Sequence, residues 1–194
     1  MSAMTASRTA WPDDRPMTVE DLNLLPGDGC RYELDDGVLV VSPPPANIHQ
    51  LVASRLQTLL DIACPPEYLV ISGNGVEISN TQYRIPDLIV VLADRYEVTG
   101  TSTTRPPALA IEVASPSTAI YDRNRKNDVY AAFGIASYWI VTPSLDKPTV
   151  TAFELRRGKF TEVANVTGDQ VFRATRPFPV EIVPAELVAG PWQR

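Results

Sequence analysis

The sequence predicts one α/β or α+β domain. Three observations predict it. Two long helical stretches are separated by short β segments that are almost continuously apolar. The last third of the chain then alternates like strands. Finally, 18 of the 194 residues are proline, about twice the usual ~5%, which favours many short, sharply ended elements over a bundle or coiled coil. An apolar content of 44% is ordinary for a globular protein with one proper core.

Residues 1–16 are small, polar and closed by prolines, and are expected to be a disordered leader before one domain over 17–194. Thr18 with Asp21 forms a weak capping box, starting a short helix that Pro26-Gly27 stops. Arg31 to Val41 reads as a hairpin, because Asp36-Gly37 favours the positive φ of a tight turn. From 46 to 63 the residues Ile48, Leu51, Val52, Leu56, Leu59 and Leu60 repeat with a helical period, and Pro65-Pro66 ends that helix. Tyr68 to Ser79 is a β segment interrupted by Gly73-Asn74-Gly75. Pro86 to Ala93 and Pro107 to Ala114 read as strands covered on both faces. Residues 95–106 are a polar loop. Tyr121 to Phe133 forms the second long helix, with Gly134 just past its end. Tyr138 to Thr142 is a buried strand. Strands then follow from Thr149 to Glu181, with a turn at Arg157-Gly158 and a closing strand at Phe178 to Val183.

Charge and cysteines narrow the function. With 17 basic and 23 acidic residues the net charge is −6, which disfavours a nucleic-acid coat protein. It leaves room for an enzyme that meets nucleic acid through a metal ion. Two cysteines, Cys30 and Cys64, make neither a disulfide framework nor a zinc pattern. With His49 the one histidine, a metal would have to sit on oxygens, which means Mg²⁺, Mn²⁺ or Ca²⁺. No signal-peptide pattern and no membrane-length apolar run occurs, so a soluble, cytoplasmic protein without a membrane partner is expected.

Two acids pose a physical question. Asp87 and Glu112 each interrupt an apolar strand, where a carboxylate is costly unless paired, hydrogen-bonded or bound to a cation. Two readings stand side by side. Either the strands pair and both acids share one hard cation, or each forms its own ion pair, Asp87 with Arg84 and Glu112 with a helix cation. Lys126, early in the second long helix, can fold back over the Glu112 strand, or belong with Arg123 and Arg125 to a solvated face. His49 reads first as a satisfied, partly buried histidine and second as a catalytic one. No phosphate-binding glycine loop and no nucleophile elbow is present.

The ordered strings Thr18-Val-Glu-Asp, Tyr32-Glu-Leu-Asp-Asp-Gly, Ser42-Pro-Pro, His49-Gln, Arg84-Ile-Pro-Asp-Leu-Ile-Val-Val, Ile111-Glu-Val-Ala-Ser-Pro-Ser-Thr, Tyr121-Asp-Arg, Lys126, Tyr130 and Tyr138-Trp-Ile-Val then become legible together. Over roughly residues 17–155 they resemble the Uma-type restriction endonucleases, a branch of the PD-(D/E)XK nucleases. The resemblance implies a restriction-endonuclease-like mixed central sheet flanked by helices, with an added β-hairpin and a β-rich C-terminal end. It also implies a two-carboxylate Mg²⁺ site, with Mn²⁺ as a substitute. Asp87 fills the aspartate of the Pro-Asp pair and Glu112 the second acid. Ala114 stands where the superfamily lysine would be, and Lys126 on the following helix matches the Uma-type position instead. Glu33, in the Tyr-Glu-Leu element, matches as a further acid.

The expected chemistry is hydrolysis of a nucleic-acid phosphodiester, DNA above RNA. Asp87, Glu112 and the Val113 carbonyl would hold the ion, and Lys126 would orient water or offset phosphorane charge. His49, Arg84 and Ser115 are the expected supporting or phosphate-contacting groups. By analogy, cutting two strands suggests a homodimer. A non-catalytic nuclease-fold binding protein is the leading alternative, and a two-carboxylate glycosidase ranks behind it.

Overall fold

The computed structural model describes residues 7–9, 15–114 and 121–193. The chain opens with β1 (Ser7–Thr9), α1 (Val19–Leu22) and the hairpin β2 (Arg31–Asp35) and β3 (Val38–Ser42). Helix α2 (Asn47–Ala63) follows, then β4 (Tyr68–Ser72), β5 (Gly75–Ser79), β6 (Gln82–Arg84) and β7 (Leu88–Leu92). Next come β8 (Ser102–Thr103), β9 (Leu109–Val113), α3 (Tyr121–Phe133) and β10 (Ser137–Thr142). The chain ends with β11 (Thr149–Arg156), β12 (Lys159–Thr167), β13 (Phe172–Ala174), β14 (Val180–Ile182) and α4 (Pro184–Val188). Helices therefore flank mixed sheets, the α+β architecture expected.

The larger layer is a six-stranded mixed sheet in the order β12-β11-β10-β9-β7-β4. Strands β9 and β10 run parallel, and α3 lies between them in the chain, since a parallel pair needs a long crossover. The face carrying Leu88, Val90, Leu109, Ile111, Trp139 and Val141 is sealed by Val52, Leu56 and Leu60 of α2. Phe172, Ile182 and Leu187 from the C-terminal elements complete that core. On the opposite face Ala110, Tyr138, Ile140 and Phe153 pack with Tyr130 of α3 and with Ile135. Side chains alternate along a strand, so Glu112 falls on this second face, under α3.

The second sheet has the order β1-β3-β2-β6-β5-β8. Strand β2 alternates between two environments. Leu34 joins Met17 and Leu39 in an apolar cluster packed by Val19 and Leu22 of α1. Glu33 and Asp35 point the other way and are buried, as are Gln82 and Arg84 of β6. Asp36 and Gly37 both take positive φ in the hairpin turn (51° and 78°). At Gly37 a Cβ would come within 2.4 Å of Pro16, so both the turn and the close approach call for glycine.

Some elements depart from the sequence expectation. Ser7–Thr9, inside the expected leader, pairs antiparallel with β3. Arg15 donates to both carboxylate oxygens of Asp21, at 2.7 and 2.8 Å, so that end of the leader is anchored as well. Residues 1–6 and 10–14 lie outside the described residues. Asp87 precedes β7 rather than interrupting it. Strands β6 and β8 and helix α4 were not expected, the two strands because two- and three-residue strands carry too few residues for an alternation to register. Leu56 is fully buried beneath the central sheet. Leu56→Ala should therefore lower the unfolding free energy by about 2–5 kcal/mol, read as a shift of the urea midpoint at unchanged slope.

Candidate active site

The strands β7 and β9 pair antiparallel, with Leu88 opposite Ile111 and Val90 opposite Leu109. One further step along this register sets Asp87 beside Glu112. The two acids that stood out in apolar surroundings are thus neighbours at one end of the central sheet. Val113 completes this edge. Its N–H donates to Asp87 Oδ2 at 2.7 Å, whereas the N–H of the next residue, Ala114, turns to β10 and donates to Val141. A strand residue directs its N–H and C=O to the same side, so the Val113 carbonyl also faces the Asp87 edge.

Asp87 is 3% exposed and accepts from three groups. Arg31 Nη1 donates to Oδ1 at 2.7 Å. His49 Nε2, from the first turn of α2, lies 3.0 Å from Oδ2, which Val113 N–H also reaches. Because a carboxylate only accepts, Nε2 carries the proton. Among the described residues His49 Nδ1 is buried without a hydrogen-bond partner. Burial alone would raise the Asp87 pKa, but His49, Arg31 and the Val113 amide outweigh it and bring it down to about 2.

Glu112 is held on its helix side. Oε1 accepts from Lys126 Nζ at 3.0 Å and from the Tyr130 hydroxyl at 2.7 Å. Lys126 and Tyr130 are four apart on α3 and therefore share a face. No described residue hydrogen-bonds Oε2. Burial pushes the Glu112 pKa up to about 7, Lys126 opposes this, and the charges of Asp87 and Glu33 add to the rise. Burial and the nearby carboxylates also raise the Tyr130 pKa well above its ordinary value, so it stays a donor.

Glu33 joins the same cluster from the other sheet. Its Oε1 accepts from the Ile85 N–H at 2.7 Å and lies 3.6 Å from Lys126 Nζ. Lys126 therefore stands between two acids, and it is buried rather than part of a solvated face. Behind them Arg84 bonds Asp35 at 2.7 Å and approaches Glu33 at 3.9 Å. Asp35 also accepts from Arg125 of α3 at 3.0 Å and from Gln82 at 3.2 Å.

Asp87, Glu112, Val113, Lys126, Glu33 and His49 are thus brought together. Two sequence expectations need correction. Arg84 pairs with Asp35 and not with Asp87, and at 2% exposure it is too buried to meet a substrate phosphate. Its place is beneath the site, as support for Glu33 and Asp35. Ser115 lies outside the described residues. Two contributors went unassigned in the sequence, Arg31 and Tyr130. The available signals were spacings: Arg31 shares the face of β2 with Glu33, and Tyr130 follows Lys126 by one helical turn.

The site thus sits at the edge of a mixed sheet flanked by helices, where Asp87 and Glu112 meet Lys126. The chain belongs to the Uma2 family, whose model, described as "putative restriction endonuclease", matches residues 19–187. A similar solved structure is a protein from Anabaena variabilis ATCC 29413, described as "a putative nuclease belonging to DUF820". The match has a TM-score of 0.64 and covers 82% of this chain and 89% of that one, at 16% identity. Likeness at that identity speaks for the fold alone. No curated protein matches the chain.

Asp35 supports a prediction of its own. Removing it leaves the Arg84 guanidinium buried without its close partner, so Asp35→Ala should cost about 3–5 kcal/mol of stability. Burial works against the Asp35 carboxylate, yet Arg84, Gln82 and Arg125 overcome it and hold its pKa below the ordinary value of 3.8. A lowered folded-state pKa means the contribution is complete above that value and fades as pH falls below it. The stability gap between wild type and Asp35→Ala should therefore be constant near neutrality and shrink below about pH 4, as followed by denaturant melts across pH.

Proposed function

We propose that this chain is a divalent-metal-dependent endonuclease that hydrolyses phosphodiester bonds of DNA. The observation that carries the reading is the meeting of Asp87, just before β7 and bonded by the Val113 N–H, with Glu112 of β9, and Lys126 3.0 Å from Glu112. Among the described residues no group of three or more His, Cys, Asp or Glu side chains is arranged as a metal cluster. The donor set instead is two carboxylates and a strand carbonyl, all hard oxygens that suit Mg²⁺ or Mn²⁺. Glu112 Oε2, without a hydrogen bond from any described residue, and the Val113 carbonyl on the Asp87 side fit that use.

When bound, the ion supplies Lewis-acid stabilisation of phosphoryl-oxygen charge. The protein's own groups divide the remaining work. Asp87 stays ionised because its three donors favour the anion. Tyr130 fixes the Glu112 carboxylate by its short hydrogen bond. Lys126, steadied between Glu112 and Glu33, presents ammonium protons to the attacking water or to the negative charge that grows on the phosphate. Glu33 keeps that ammonium in place.

Purified protein should nick supercoiled plasmid with Mg²⁺ or Mn²⁺ and stop when EDTA is added. Asp87→Asn and Glu112→Gln should fall to background. Lys126→Met should lose roughly 10²–10³-fold in rate, with circular dichroism confirming the fold. Equal nicking by wild type and Asp87→Asn would overturn the reading. Duplex binding that ignores EDTA, without any nicking, would make the same fold a binding module.

A further inference from the structure

The guanidinium of Arg31 has a dual position that the proposed hydrolysis does not use. It enters the site from the solvent side, 30% exposed, and closes over an Asp87 that is 3% exposed. Its Nη1 donates at once to Asp87 Oδ1 and to the Ile85 carbonyl, at 2.7 and 3.2 Å. Of the three donors on Asp87, the Val113 amide belongs to the sheet and His49 belongs to the first turn of α2, its side chain 14% exposed. Both of these reach Oδ2. Oδ1 has Arg31 as its partner, and the Arg31 side chain, 30% exposed against 14% for His49, is the more solvated of the two. A cation approaching Asp87 through Oδ1 therefore meets one already there. A divalent ion and a guanidinium cannot share that oxygen closely without strong repulsion at so buried a carboxylate.

We infer that Arg31 is a resident counter-ion that occupies Asp87 in the metal-free protein and turns to a phosphate of the bound nucleic acid when a divalent ion takes the carboxylate. This rests on the metal-dependent reading above. The chemistry favours the exchange. Guanidinium binds phosphate as readily as carboxylate, in the same two-pronged geometry. The Ile85 carbonyl, 3.2 Å away, offers a pivot that survives loss of Asp87. The device lets three carboxylates coexist without metal and adds a positive group for the substrate as the metal arrives.

Mn²⁺ affinity, measured by calorimetry on wild type, Arg31→Gln and Arg31→Lys, tests this without catalysis. Removing the competitor should tighten Mn²⁺ binding roughly 10-fold or more in Arg31→Gln. Arg31→Lys keeps a charge beside Asp87, guards against unfolding of the neutral variant, and should fall between. Binding of a short duplex in Ca²⁺ should weaken in Arg31→Gln, and its log–log salt slope should drop by about 0.9. Wild-type Mn²⁺ affinity in both variants, or a duplex salt slope unchanged in Arg31→Gln, would overturn the exchange alone. Absence of Mn²⁺ binding in all three proteins would overturn the metal reading and this inference with it.

Discussion

Three carboxylates, Glu33, Asp87 and Glu112, are gathered where the two sheets meet, and the cost of holding them together governs the surrounding structure. Like charges at this range, almost wholly withdrawn from water, repel strongly and resist ionisation. The fold answers with a cation for each: Arg31 for Asp87, Lys126 for Glu112 and Glu33, and Arg84 behind Glu33. The balance is local and uneven. Asp87 has three good donors and is driven to the anion, while Glu112 is pushed toward its neutral form by burial. The two acids, set side by side, are thus pulled toward opposite protonation states by their different partners.

That cluster also explains why the smaller sheet belongs to the site rather than decorating it. Its hairpin delivers Arg31 and Glu33 from one face of β2, and the same face delivers Asp35 to Arg84 and Arg125. Arg125 and Lys126 are consecutive residues of α3, so the hairpin grips the helix beside the lysine through one and inside the site through the other. A second contact, Arg125 to Asp36 in the hairpin turn, strengthens the grip. The position of the Lys126 ammonium is thereby set by two sheets and a helix together. Such over-determination is how a long, flexible lysine is held to one geometry.

Much of this was legible beforehand, and the divide follows physical lines. Asp87 and Glu112 stood out because a carboxylate within Ile, Leu and Val is expensive. The long elements α2, α3, β7, β9 and β10 stood out because burial imposes a period. Lys126 could be named from the sequence but not chosen over a solvated reading, since only tertiary contacts bury it. Glu33 entered through resemblance; its own surroundings, an ordinary hairpin, gave no energetic signal. Arg31 and Tyr130 were missed for a related reason. An arginine on a hairpin and a tyrosine on a helix are unremarkable until the sheet register brings Asp87 and Glu112 beneath them. Arg84 misled in the opposite direction, because three residues of sequence separation from Asp87 suggest contact, yet its β6 side chain points to Asp35 instead.

The acidic balance of the chain, −6 overall, now has a sharper meaning for a protein of this fold. The basic groups nearest the site are not free to attract phosphate at a distance. Arg31, Lys126 and Arg125 are each committed to carboxylates at hydrogen-bond range. A polyanion approaching this edge therefore gains little long-range steering and must compete for the same cations at contact. Under the proposed reading, affinity at this edge would arise from exchange of partners inside the site, with the internal carboxylates released to another cation. Under the metal-dependent reading proposed above, such an arrangement would distinguish a phosphate backbone arriving with a divalent ion from one arriving alone, which a uniformly basic groove would not.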